Sequence, residues 1–79
     1  MAAYRIWTRV TPIPGTDRFI CVAAAVPEGS HPDSEAHAES ESRVLSSEQL
    51  ARETCTSMAA AMVARIRARG DTVVAIESV

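Results

Sequence analysis

Residues 45–71 read LSSEQLARETCTSMAAAMVARIRARGD, and this stretch decides the fold. On a wheel at about 100° per residue, Ala51, Cys55, Met58, Ala59, Met62 and Ile66 form one continuous apolar stripe. Gln49, Arg52, Glu53, Thr56 and Arg67 lie opposite. The spacing predicts an amphipathic helix over residues 47–69. Ser46 and Gln49 have the S-x-x-Q spacing of a capping box, and Leu45 and Leu50 sit where a hydrophobic staple would clamp the entry. At the exit, Arg65, Arg67 and Arg69 complement the negative end of the helix dipole, and Gly70 supplies a left-handed stop.

Everything outside the helix must cover its stripe, and the flanking segments read as strands. Residues 3–11 alternate: Tyr4, Ile6, Thr8 and Val10 share one face, and Arg5, Trp7, Arg9 and Thr11 share the other. Pro12, Pro14 and Gly15 then break the ladder. Residues 18–26 form a second strand that is apolar on both faces, so a central place in the sheet and an antiparallel hairpin with the first strand are expected. Residues 27–35, with Pro27, Gly29 and Pro32, have the composition of a mobile loop. A weaker alternation over residues 36–44 predicts a third, edge strand, the competing reading being a loop that runs on to Ser46. Residues 72–77 are rich in β-branched side chains and predict a last strand. The expectation is a single α+β domain over residues 1–79: a two-layer sandwich in β-β-β-α-β order. Its mainly antiparallel sheet has three to four strands, with the one long helix packed on one face.

A chain of 79 residues lies near the lower limit for a self-sufficient core, so a self-association interface is expected. Cys21 and Cys55 are too few for a disulfide scaffold and read as buried structural thiols. No signal-peptide pattern and no long apolar run is present; the expected setting is cytoplasmic and reduced, with no membrane contact. The net charge of −2 is spread along the chain, which lacks the basic footprint of a general nucleic-acid binder. All eight basic side chains are Arg, and this bias points to a GC-rich bacterial source.

Four features could carry function. Arg5, Trp7 and Arg9 would set an indole between two guanidinium groups on an open sheet face. Such a face can stack bases. It equally suits a protein contact, for which exposed Trp and Arg are typical anchors. Glu39 and Glu41, if they lay across from Arg5 and Arg9, would pair with them and disfavour nucleic acid. His31, Asp33, Glu35, His37 and Glu39 have ligand chemistry for zinc or nickel, but their spacing matches no compact site and a solvated loop is the expectation. For catalysis, only Cys55 with His37 could be imagined as a nucleophile and base, and nothing in the spacing brings them together; no phosphate-binding glycine loop occurs. Ala60, Ala61, Ala64 and Ala68 flank the stripe, where small side chains suit helix-to-helix contact or simply favour the helix.

The β-β-β-α-β order resembles the amino-terminal domain of HicB-type antitoxins, a partial ribonuclease-H-like fold. The resemblance is one of element order. Where that group has an aromatic-rich second strand and a Pro-Gly signature, residues 20–26 are followed by Pro27-Glu28-Gly29, so no functional residue is carried over.

The expected function is a non-enzymatic protein-interaction module that self-associates as a homodimer or binds another protein. Its expected surface is centred on Arg5, Trp7 and Arg9, without cofactor or metal. The alternative is an antitoxin-like, nucleic-acid-associated regulator using the same face.

Overall fold

The computed structural model describes residues 2–29 and 39–79. The elements run β1 (Ala3–Pro12), β2 (Phe19–Pro27), β3 (Glu39–Leu45), α1 (Glu48–Ala68) and β4 (Thr72–Ser78). The expected α+β fold and its β-β-β-α-β order are present. The strands form one mixed sheet in the order β3-β2-β1-β4, antiparallel except for the parallel β1–β4 pair. The third strand is real and begins at Glu39; residues 36–38 of its expected span, and 30–35 of the expected loop, lie outside the described residues. No helix among the described residues is long and apolar enough to cross a membrane.

Local chemistry explains each boundary. The β1–β2 hairpin closes where Ile13 accepts from the Thr16 amide at 3.2 Å, with Gly15 at φ 79°, a value that glycine adopts without strain. The Thr16 hydroxyl also donates to the Ile13 carbonyl at 2.9 Å. At the helix exit Gly70, at φ 88°, donates to Arg67 and Asp71 donates to Ile66, a Schellman ending that satisfies two carbonyls.

The helix entry differs from the expected capping box by one residue. Ser47, in extended conformation, is the N-cap, and its hydroxyl accepts from the Leu50 amide at 3.2 Å. The cap is thus Ser47 and not the expected Ser46, and Gln49 donates to Glu53 at 3.4 Å; Leu45 packs against the core, while Leu50 is exposed. The cause is phase. With Leu45 held at the end of β3, Ser46 is needed for the change of direction, and Ser47 is the first hydroxyl aligned with the helix axis.

The core lies between α1 and one sheet face. The expected stripe is buried in full, with Val63 added. It meets Ile6, Cys21, Ala23 and Ala25, and Tyr4, Val10, Phe19, Leu45 and Val73 close the rim. Two alanines of β2, Ala23 and Ala25, let the helix approach closely, and large helix side chains (Met58, Met62, Ile66) fill the space. The second face of β1 and β2 carries a smaller cluster of Trp7, Ala24 and Val26, with Val22 packed against it.

Candidate functional site

Strand alternation sends Arg5, Trp7 and Arg9 to the face opposite the helix, as the sequence pattern implies. Trp7 stands opposite Ala24 on β2, whose small side chain leaves room for the indole. The Arg9 guanidinium carbon lies 5.3 Å from the Trp7 ring centroid, within cation–π range. Arg5 makes an ion pair with Glu77 of β4 on the same face. In register Arg5 faces Ala75 and Trp7 faces Glu77, so this pair runs diagonally across the parallel ladder.

Two expectations need correction here. Trp7 is only 6% exposed, so it is a covered part of the fold and not an open anchor. Its cover includes Val22, Ala24 and Val26, apolar neighbours that make the indole cheaper to bury than to wet. Glu39 and Glu41 do not face Arg5 and Arg9. They pair in register with Ala25 and Ala23, one strand away from β1 and on the helix side of the sheet. There Glu39 accepts from Arg65 Nε at 2.9 Å and sits 4.0 Å from Arg69, while Glu41 pairs with Arg43 at 3.3 Å. Glu77 supplies the acid for Arg5 instead. Its alternation with Ile76 was visible in the sequence, but the neighbour relation between β1 and β4 was not.

The exposed apolar surface lies beside this site. Among the described residues the exposed large hydrophobics are Val44, Leu50, Val74, Ile76 and Val79. Three of these belong to the last strand and its end: Val74 is 46%, Ile76 59% and Val79 53% exposed. That strand forms the sheet edge next to Arg5.

The concave surfaces offer little reaction chemistry. A groove of about 440 Å³ between β3 and α1 is lined by Glu41, Arg43, Glu53, Ser57 and Arg65 among others. Several of these charges are already paired within the chain. A second groove of about 240 Å³ is lined by Arg9, Arg52, Cys55, Thr56 and Ser78 among others. Cys55 is 3% exposed. Burial first, and then its hydrogen bond with Cys21, push its thiol up to about 11. Such a group stays a neutral thiol near neutrality and is a weak nucleophile. His37, its only imagined base, lies outside the described residues, as do the candidate ligands His31, Asp33 and Glu35. No group of three or more His, Cys, Asp or Glu is placed to hold a metal ion among the described residues.

The Arg-rich helix end is structural. Asp71 accepts from the Ala2 amide at 3.0 Å and from Arg69 Nε at 3.0 Å; these contacts, in that order, hold its carboxyl below the ordinary range. Arg69 also lies over the Tyr4 ring, 5.6 Å from its centroid. Comparison with known proteins finds no matching family model, no matching curated protein and no matching solved structure.

Proposed function

We propose that this chain is a non-enzymatic protein-interaction module that self-associates, working by contact and without a cofactor. The single observation that carries this reading is the gathering of exposed apolar side chains, Val74, Ile76 and Val79, at one end of the chain and one edge of the sheet. Scattered exposed apolar residues need no explanation, but a group of β-branched ones on a single edge strand is a contact surface in waiting. Arg5 and Trp7 lie beside it on β1, in register with Ala75 and Glu77, and Arg9 follows, so the three residues expected at the centre of the surface adjoin it instead. Glu77 neutralises Arg5 on this face, which favours a protein partner over a polyanion.

The test is solution mass by light scattering across a dilution series at low and high salt. A dimer that resists added salt is the expected result, since apolar contacts are not screened. A monomer at every concentration would remove self-association from the reading. Binding of RNA or DNA with a steep loss on added salt would replace it with the nucleic-acid-associated alternative.

A further inference from the structure

From the contrast between the two sheet edges we infer that β4 is the dimerisation strand: it pairs antiparallel with β4 of a second copy and extends the sheet to eight strands. This deepens the self-association reading and rests on it. The two edges are built differently. β3 carries Glu39, Glu41 and Arg43 within seven residues, the kind of charge placement that blocks edge pairing. β4 carries one charge, Glu77, and that charge is already neutralised by Arg5 of its own chain. Val74 and Ile76 alternate along it as exposed side chains.

Backbone direction agrees. The Val79 amide donates to Thr8 on β1 at 2.8 Å. Alternate residues of a strand point their amides to the same side, so those of Ile76 and Ser78 point to the outer edge. The register shift of β4 falls between Val73 and Ala75, and from Ala75 to Ser78 the ladder with β1 runs without interruption.

A second copy is the occupant because the strand complements itself. With the two-fold axis passing at Ile76, inside the uninterrupted stretch of β4, Ile76 of each copy lies opposite Ile76 of the other, their outward amides pairing across the seam. Glu77 meets Ala75, which shares its face, so no like charges face each other. An axis normal to the sheet keeps both helices on one face. It also sets the two Arg5–Glu77 pairs on the other face, one on each side of the seam.

The experiment reads the dimer constant of the wild type, Ile76→Glu and Val44→Glu by sedimentation, with circular dichroism to confirm folding. Ile76 and Val44 are both more than half exposed, so either change should spare the monomer. A dimer dissociation constant raised at least tenfold for Ile76→Glu and within twofold of wild type for Val44→Glu is the expected result. Amide exchange of the wild type gives a check that needs no variant: protection of Ile76 should rise with protein concentration. A wild-type dimer unchanged by Ile76→Glu, or concentration-dependent protection on β3 in place of β4, would overturn this pairing and leave self-association standing. A wild-type monomer at all concentrations would overturn both.

Discussion

Cys21 donates its thiol to the thioether of Met58 across 3.9 Å, joining β2 to α1 through sulfur at the centre of the core. Cys55 lies in the same layer, its thiol 3.6 Å from the carbonyl oxygens of both Arg9 and Val22. Both thiols therefore act as small apolar groups with weak donors.

One consequence is chemical silence. In the native protein at pH 8, a chromogenic disulfide reagent should find no reactive thiol, and in denaturant it should find two. The stability curve should also bend at alkaline pH. The Cys55 proton is held more tightly folded than unfolded, so its contribution is complete below the ordinary thiol range. It declines as pH climbs from about 9 toward about 11. Prompt labelling of folded protein would show that the core opens readily.

Trp7→Ala tests whether the indole is part of the fold. Removing a covered Trp should cost about 3 kcal/mol or more in denaturant unfolding. As the only tryptophan, it should also emit at short wavelength in the native state and shift to the red on unfolding. A variant as stable as the wild type would return Trp7 to the role of an open anchor.

The two adjacent serines before α1 should behave differently. Ser47→Ala removes the acceptor for the Leu50 amide and should lower stability by about 1 kcal/mol. Ser46→Ala should be near neutral. Equal costs at the two positions would mean that the cap is shared.

Asp71 predicts the acid limb. Its carboxyl is held below the ordinary range by the Ala2 amide and Arg69, so the unfolded state takes up the proton first as pH falls. The stability it provides is complete above about pH 4 and is lost on the way down to its lower folded value. Asp71→Asn should reduce stability at neutral pH and flatten the acid side of the curve. An unchanged slope below about pH 4 would show that other carboxylates dominate.

Much of the architecture was legible because periodicity reports burial directly. The stripe from Ala51 to Ile66, the hairpin around Gly15 and the stop at Gly70 each follow from local residues. Relations between distant segments were not legible. Nothing local to Arg5 says that Glu77, on a strand after the helix, is its neighbour, or that Glu39 turns to Arg65. The burial of Trp7 escaped for a similar reason: alternation assigns a side chain to a face, but only the small residue opposite, Ala24, lets that face close around it. The choice between Ser46 and Ser47 depended on where β3 ends, a tertiary fact.

The parallel ladder joins the two ends of the described chain: Ala3 pairs with Thr72, and Thr72 donates to Ala2. Since β3 and β4 occupy opposite edges, α1 must carry the chain across the whole sheet before β4 can dock. The hairpin of β1 and β2 closes over a short turn, whereas the β1–β4 contact closes nearly the entire chain and bears the largest loop entropy. Loop entropy therefore favours the hairpin as an early contact and β4 as a late one, an order that φ-values or amide exchange on β4 would read directly.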